Sequence, residues 1–292
     1  MKKLTKVIMS GAAVAALGCS MAFGFAACTD GGLEINIEGS TSMEDVMTAL
    51  AEKFSEQYEA ENGKSVTINI TANGSGSGIE AASSGRADFG MASRALKEDD
   101  STEAALTSQT VCLDGIATVV NPNCALASVT KTQLVDLYTK ATPIEFEGGS
   151  IVAALRREAS SGTRDGFQNA LGIEDEELYT GTGFDEYTST GALKTAIASN
   201  TAGNAIGYIS MASVDSTVKA VPYDAENGKG AVEPTSANVL NGTYALSRPF
   251  IICYQSYDGL SDITKEFIEF IMSEEGQEIC VEEGCISEVL GR

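Results

Sequence analysis

The stretch that decides the fold is residues 33–58, which read LEINIEGSTSMEDVMTALAEKFSEQY. From Leu33 to Ile37 apolar residues alternate with polar ones, as in a strand that buries one face in a sheet. After Gly39 the spacing changes, and apolar residues recur at three- and four-residue intervals up to Tyr58. This spacing gives a helix one apolar face. The stretch therefore predicts a strand, a short polar loop and a long helix.

A second unit of the same kind follows directly. Residues 66–70 alternate again, and the run NGSGSG at 73–78 precedes another predicted helix. A third short strand, 87–91, runs into Ser93. In an open α/β sheet such loops lie together at the carboxyl edge of the strands, where ligands bind. We expect three loops of small polar residues to converge there.

Three helix starts are predicted from capping patterns. Ser42 with Asp45 fits the start of the first helix, Ser77 with Glu80 the start of the second, and Thr130 with Gln133 the start of a helix in the middle of the chain. In each pair the first side chain would accept a backbone N–H of the new helix.

The rest of the chain continues the alternation of strands and helices. Residues 111–121 predict a buried strand, 191–199 a helix and 205–209 another strand. Residues 244–254 read as extended, and a final helix is expected around 263–271. The pattern is typical of the α/β class with two α/β units.

A cluster of arginines marks a candidate anion site. Residues 156–163 read RREASSGT, and three of the chain's seven arginines lie between Arg156 and Arg164. A helix is expected to start near Thr163, so its free N–H groups and positive dipole end would meet an anion beside guanidinium groups. The alternative is a capped surface helix with solvated arginines.

Composition narrows the classes of partner and reaction. The chain has 41 acidic and 19 basic residues, a net charge of −22, which argues against nucleic acid and anionic membrane surfaces as partners. It contains no histidine, the usual general base at neutral pH and the commonest metal ligand. We therefore expect no enzyme activity, no metal site and no cofactor.

The first 28 residues are typical of an export signal. Three lysines precede an apolar run, 7–27, which ends in FAAC at Cys28. This pattern suits lipoprotein processing, which removes residues 1–27 as a signal peptide, acylates Cys28 and takes the net charge to −25 with the loss of the three lysines. The alternative is an uncleaved anchor, because about 20 apolar residues span a bilayer. In both cases the remaining chain lies outside the cytoplasmic membrane.

Five cysteines lie beyond this signal. They are Cys112, Cys124, Cys253, Cys280 and Cys285. An odd number cannot all pair internally, although Cys280 could pair with Cys285, or Cys112 with Cys124, in an oxidising compartment. Their spacing matches no metal motif, so we expect them to be buried small hydrophobic residues.

Five short motifs give the chain a family resemblance. They are GSTSM at 39–43, GSGSG at 74–78, DFGMASR at 88–94, SGTRD at 161–165 and AIGYIS at 205–210. In this order they resemble the phosphate-binding lipoprotein of ABC-type phosphate importers, a type II periplasmic binding protein. The resemblance covers most of residues 33–290.

The resemblance implies a two-lobed α/β fold with a hinge and a ligand cleft between the lobes. Residues 29–119 and 247–292 would form the first lobe and 120–246 the second. A dehydrated inorganic phosphate would lie in the cleft and pass to an ABC permease with its ATPase subunits. The resemblance further implies a monomer, lipid-anchored to the outer face of the cell membrane.

The resemblance also implies a set of ligand-binding residues. They are Ser40, Thr41, Ser42, Ser75 and Ser93 in the first lobe, and Arg157, Ser161, Gly162 and Thr163 in the second. The register is ambiguous by one residue at Arg156 and Arg157. Arg94 could bind the ligand or pair with a carboxylate, and Arg164 could contact the ligand or pair with Asp165.

Ser93 departs from the family pattern. Many relatives have an aspartate there, which accepts the proton of hydrogen phosphate and repels sulfate. A serine hydroxyl is uncharged and both donates and accepts. We therefore expect weaker discrimination against sulfate, which leaves another tetrahedral oxyanion as an alternative ligand. A surface lipoprotein that senses a ligand without transport is a further alternative, as is a phosphoryl-transfer enzyme with Ser161 as nucleophile.

Overall fold

The computed structural model describes residues 33–292, and the predicted signal peptide with Cys28 lies outside the described residues. The strands β1 to β15 are, in chain order, Leu33–Gly39, Val66–Ala72, Phe89–Ala92, Thr107–Val120, Val129–Thr130, Ile144–Phe146, Gly149–Ile151, Ala153–Ala154, Arg156–Arg157, Glu186–Tyr187, Ala205–Ser210, Lys219–Ala220, Tyr223–Asp224, Ala231–Val232 and Ser247–Tyr254. The helices α1 to α8 are Glu44–Asn62, Ser75–Ser84, Lys131–Lys140, Gly162–Leu171, Thr190–Ser199, Ser236–Leu240, Asp262–Met272 and Glu274–Glu282.

The main sheet has the strand order β2-β1-β3-β15-β4-β11-β8, and β12 adds to β4. Strands β2, β1 and β3 are parallel, because α1 and α2 return the chain across the sheet between them. Strand β15 comes from near the end of the chain and runs antiparallel between β3 and β4. Residues from both ends of the described chain therefore share one sheet.

Strand β4 has 14 residues and links two parts of this sheet. Its residues up to Gly115 pair with β15, and those from Ile116 to Val120 pair with β11. The hydrophobic core changes along the same strand, since Cys112 belongs to a cluster with residues of α1, α7 and α8, whereas Ile116 belongs to another with residues of α3, α4 and β11. The change lies a few residues before the predicted lobe boundary at 119–120.

The first loop follows β1 through a glycine that brings two strands close together. Gly39 has a positive φ of 142°, and a Cβ there would lie 2.0 Å from the carbonyl oxygen of Met91 on β3. A larger residue would push β1 and β3 apart. The Ser40 N–H donates to the same Met91 oxygen at 2.9 Å. Glycine thus fixes the start of the polar loop against the end of β3.

Helix starts and ends account for the main differences from the sequence predictions. The capping box of Thr130 and Gln133 is confirmed at the start of α3. The one predicted for Ser42 and Asp45 is wrong, because the N-cap residue of α1 is Met43 and makes no side-chain cap bond. The Ser77 and Glu80 pair is also wrong, because α2 begins at Ser75 with Gly74 as its N-cap. Helix α8 was not predicted, since its apolar residues, Ile279, Cys280 and Val281, are consecutive and show no helical spacing.

The cysteines of residues 33–292 are all buried and free. The expectation of buried hydrophobic thiols is confirmed for them. Cys112 and Cys124 belong to separate core clusters, so the structure does not support their pairing. Within the same residue range, no helix has the length and apolarity to cross a membrane.

Candidate functional site

Three serines from three different loops form the first part of the candidate site. Ser40 follows β1, Ser75 opens α2, and Ser93 follows β3. The Ser40 hydroxyl donates to Ser93 Oγ at 3.0 Å, and the Ser75 and Ser93 hydroxyls lie 3.1 Å apart. Ser75 Oγ also accepts the N–H of Ser93 at 3.1 Å. The predicted convergence of these loops is confirmed.

A second group of hydroxyls lies beside the serines. Ser42 Oγ is 2.9 Å from Thr163 Oγ1 at the start of α4 and 3.0 Å from Thr190 Oγ1 at the start of α5. Thr41 Oγ1 lies 3.3 Å from Thr190 Oγ1 and accepts the Thr190 N–H at 3.3 Å. The Ser42 hydroxyl is therefore committed to these tertiary contacts, which explains why it does not cap α1.

Arg157 provides the positive charge of the cluster. Its Nη1 donates to Thr190 Oγ1 at 2.8 Å and its Nη2 to Thr41 Oγ1 at 2.9 Å. Its Nε and Nη2 also donate to the two carboxylate oxygens of Glu158, at 2.8 and 2.9 Å. The guanidinium is 1% exposed, so its bonds are made away from water. Its backbone N–H donates to the hydroxyl of Tyr208, a ring stacked on Phe167 at 4.0 Å.

The start of α4 closes the cluster from the side opposite the serines. Ser161 is the N-cap, and its Oγ accepts the Arg164 N–H at 3.3 Å. A Cβ placed on Gly162 would lie 2.6 Å from Ser75 Oγ and 2.8 Å from Ser93 Oγ. Only glycine allows this approach of backbone to the serine hydroxyls. The first N–H groups of α4 have no acceptor within the helix.

The cluster is a buried set of hydrogen-bond donors. Each of its hydroxyl residues is 9% exposed or less. Hydroxyls, helix N-termini and one guanidinium suit a tetrahedral oxyanion, because a buried anion needs many donors to replace its water. The pKa of the Tyr208 hydroxyl is raised, mainly because burial disfavours its charged form, so it stays neutral and adds no negative charge.

The two remaining candidate arginines make ion pairs. Both terminal nitrogens of Arg94 donate hydrogen bonds to the Glu103 carboxylate at 2.7 Å, and its Nε lies 2.8 Å from an Asp165 carboxylate oxygen. Arg164 pairs with Asp175 at 2.6 Å and with Glu186 at 3.0 Å. The option that Arg164 pairs with Asp165 is wrong, because Asp165 faces Arg94 instead. Both guanidinium groups are occupied by carboxylates.

Arg156 and Arg157 are clearly distinguished in the structure. Arg156 Nη1 donates to the Tyr179 carbonyl, and its Nε lies 3.5 Å from a Glu186 carboxylate oxygen. Among the two, only Arg157 reaches the hydroxyl cluster.

Thr190 is the member of the cluster that sequence reasoning missed. It is 3% exposed and touches Thr41, Ser42 and Arg157. The segment Ser189-Thr190-Gly191 carries an N-cap serine whose Oγ accepts the Ala192 N–H, and this is an ordinary helix-start pattern. The available signal was that small polar residues open a helix, as they do at 74–78 and 161–163.

Comparison with known proteins places the fold in a family. A family model described as a PBP superfamily domain matches residues 26–275. The chain therefore belongs to the PBP superfamily, the periplasmic binding proteins. The α/β class and the type II fold expected from the resemblance are confirmed.

Within this superfamily the chain is similar to phosphate-binding proteins of ABC transporters. A phosphate ABC transporter substrate-binding protein from Clostridium perfringens, solved with bound phosphate, is 36% identical with a TM-score of 0.76, over 87% of this chain and 99% of that one. An ABC-type phosphate transport receptor from Vibrio cholerae is 36% identical with a TM-score of 0.66, over 86% and 99%. The phosphate-binding protein PstS of Staphylococcus epidermidis RP62A is 29% identical over 89% of this chain and 83% of its own.

Proposed function

We propose that the chain is an extracytoplasmic receptor that captures inorganic phosphate and delivers it to an ABC importer. The observation that carries the proposal is the convergence of all nine predicted ligand-binding residues, with Thr190, on one buried cluster of donors. The phosphate named for its relatives supports the choice of ligand.

Phosphate would exchange the hydrogen bonds within the cluster for bonds to its own oxygens. The serine hydroxyls and the first N–H groups of α2 and α4 are neutral donors, so they can surround a dianion without a large surplus of positive charge. Arg157 supplies a full charge, and Glu158 beside it offsets part of that charge. We propose Arg157 as the main ionic contact of the ligand.

Binding requires the two sides of the cluster to separate, because its members are buried. We propose that they belong to two lobes, 29–119 with 247–292 and 120–246, that open about β4 and β15. Two contacts support a closed form in which the sides touch. The Gly76 N–H donates to the Ser160 carbonyl at 3.0 Å, and Arg94 pairs with Asp165 at 2.8 Å. A ligand held by both sides would shift the population toward this form.

The alternative ligand is another tetrahedral oxyanion. The presence of Ser93 in the cluster supports retaining this alternative. Its hydroxyl bonds to Ser40 and Ser75, and it presents no carboxylate to the cluster. A neutral donor-acceptor does not repel sulfate as an aspartate would. We propose that phosphate is preferred over sulfate by less than about 10⁴-fold, or roughly 5.5 kcal/mol.

The partners and location follow from the same proposal. We propose that Cys28 carries a lipid anchor in the outer face of the cell membrane, and that the monomer meets a permease with its ATPase subunits. We propose no reaction, because Ser161 as a nucleophile would lack a histidine base anywhere in the chain. Its hydroxyl already accepts a backbone N–H of α4.

The test is isothermal titration of residues 30–292, freed of bound anion by unfolding and refolding, with phosphate, sulfate, arsenate and molybdate. We expect one-to-one phosphate binding that weakens at least about 100-fold in Arg157→Ala, which corresponds to about 2.8 kcal/mol. Arg156→Ala is the matched control, because it removes a neighbouring arginine outside the cluster. It should bind phosphate within about threefold of the parent.

Three results would change the proposal. Heat from another anion alone would keep the site and replace the ligand. Absence of heat with all four anions would reject the site. Equal losses in the Arg156 and Arg157 variants would remove Arg157 as the ionic contact.

A further inference from the structure

A buried ion pair lies directly behind the Ser93 loop. The Nε and Nη2 atoms of Arg248 on β15 donate hydrogen bonds to one carboxylate oxygen of Asp114 on β4, at 3.1 and 2.9 Å. The other oxygen of Asp114 accepts the Ser210 hydroxyl at 2.8 Å, at the end of β11. Asp114 is fully buried and Arg248 is 5% exposed. The pair thus joins three strands at the junction of the two core regions.

The third guanidinium nitrogen of Arg248 reaches the candidate site. Nη1 donates to the carbonyl oxygen of Ser93 at 3.2 Å. The hydroxyl and N–H of the same serine bond to Ser40 and Ser75, so the Ser93 peptide is held from both faces. Arg248 does not belong to any of the motifs that predicted the site.

Arg248 also lies near the opposite side of the cluster. A Cβ on Gly166, in the second turn of α4, would lie 3.4 Å from Arg248 Cδ, so the aliphatic part of the arginine runs beside this helix. Ser161, Gly162 and Thr163 lie at the start of the same helix. Arg248 therefore bonds to the Ser93 side of the cluster and lies beside the helix that opens its other side.

We propose that Arg248 is a positioning residue of the anion site, which orients Ser93 and turns the positive end of the buried Arg248–Asp114 pair toward the bound anion. The electrostatic part rests on the proposed function, whereas the orientation of Ser93 does not. A shift of the Ser93 carbonyl would also move its hydroxyl, the group that replaces the relatives' aspartate.

Stability alone does not account for this pair. Burial raises the pKa of Asp114 and lowers the pKa of Arg248, in each case as the largest effect and against the attraction of the partner. The cost of removing both ions from water therefore opposes the attraction between them. In other proteins, apolar replacement of a buried pair is often neutral or stabilising. A double replacement can thus separate a positional role from a stabilising one.

The experiment compares the Arg248→Met/Asp114→Leu double variant with the parent chain, and uses Lys140→Met/Asp136→Asn, an exposed pair on α3, as the control. Without ligand, hydrogen exchange of the Ser93 N–H should be at least about tenfold faster in the double variant, while α1 is unchanged. Phosphate affinity should fall at least about tenfold with a thermal midpoint near that of the parent. The control should match the parent in all three measurements.

Arg248→Lys provides a second variant that keeps the charge. A single ammonium group cannot reach both Asp114 and the Ser93 carbonyl as the planar guanidinium does, so we expect intermediate exchange and affinity. Asp114→Asn, which keeps the shape and the arginine, should bind phosphate at least as well as the parent.

Parent-like exchange at Ser93 together with parent-like affinity in the Arg248 variants would overturn the inference. Equal acceleration of exchange in α1 and at Ser93 would also overturn it, because it would show general loosening. A parent chain that binds none of the anions would reject the proposed function, while the exchange data would still decide whether Arg248 orients Ser93.

Discussion

At the scale of single residues, the candidate site depends as much on a missing side chain as on those present. The Gly162 backbone meets the hydroxyls of Ser75 and Ser93 at a distance that a methyl group would block. These serines lie on the proposed opposite lobe, so the steric conflict exists only when the two sides are closed. A substitution here should therefore affect binding more than folding.

We predict that Gly162→Ala weakens phosphate binding by about tenfold or more and leaves the unliganded thermal midpoint unchanged or slightly raised. Alanine is favoured over glycine in a helix by up to about 1 kcal/mol, which offsets any local strain. Gly191→Ala is the matched control, because Gly191 lies in the first turn of α5 with nothing within 4 Å of its Cβ position. Titration calorimetry of both variants tests this, and equal affinities would contradict it.

The sequence predicted the proposed ligand residues better than it predicted their neighbours. Short motifs show which backbone segments can hold an anion, and eight of the nine proposed residues fall in the five motifs, while Arg157 lies in the arginine cluster just before the fourth. Thr190 was not predicted as a site residue, because nothing in 186–192 indicates that it lies beside Thr41, which is 149 residues earlier. Arg248 was not predicted for the same reason, since its partners Asp114 and Ser93 are distant in sequence.

At the scale of elements, apolar periodicity predicted most long helices and strands, and side-chain capping was less predictable. Thr130 caps α3 as its sequence indicates, because nothing else competes for its hydroxyl. Ser42 fits the same pattern, yet its hydroxyl bonds to Thr163 and Thr190. A local capping pattern fails to predict the cap where a tertiary site uses the same side-chain hydroxyl.

The turn at Asp215 allows a prediction about how the stability of the fold depends on pH. Asp215, before β12, accepts the N–H of Thr217 at 2.9 Å as well as its hydroxyl, and Lys194 lies 3.1 Å away. The Thr217 hydroxyl, its N–H and then Lys194 lower the pKa of Asp215 to about 2. Because the folded pKa lies below the usual value, the carboxylate stabilises the fold at neutral pH, and this contribution is lost as the pH falls through about 2.

We therefore expect Asp215→Asn to lower the free energy of unfolding at pH 7, and the difference from the parent to shrink steadily as the pH falls from 4 toward 2. Urea unfolding at several pH values measures it. Asp99→Asn, at an exposed turn, is the control and should track the parent throughout. A difference independent of pH would contradict a role for the carboxylate charge.

At the scale of the whole molecule, the proposed ligand exchange would require the separation of two surfaces that touch at several points. Asp165 between Arg94 and Lys97 is one such contact, at 2.8 and 3.7 Å. Burial raises the pKa of Asp165 against the attraction of both cations, so the cost of burying the carboxylate offsets part of what the ion pair contributes. In the proposed function, the ligand would supply a further bias toward the closed form.

We predict that phosphate accelerates a cross-link between the two sides. A Cβ on Gly76 would lie 3.3 Å from Ser160 Cβ, close to the spacing of about 3.5–4.5 Å in disulfides. In Gly76→Cys/Ser160→Cys, oxidation should be faster with saturating phosphate, since the ligand favours the closed form. Gly76→Cys alone is the control for side reactions of the five buried cysteines. Equal rates with and without phosphate would contradict ligand-driven closure.

The position of β15 in the main sheet also sets the order in which the protein can fold. In the described part of the chain, β3 and β4 are joined through Ser247–Tyr254, a segment far along the sequence from both. Until this segment pairs, β3 presents an open edge, and unpaired edges invite aggregation. Pairing across so long a separation is also slow. We expect truncations before 247 to yield insoluble protein, because they leave the β3 edge unpaired.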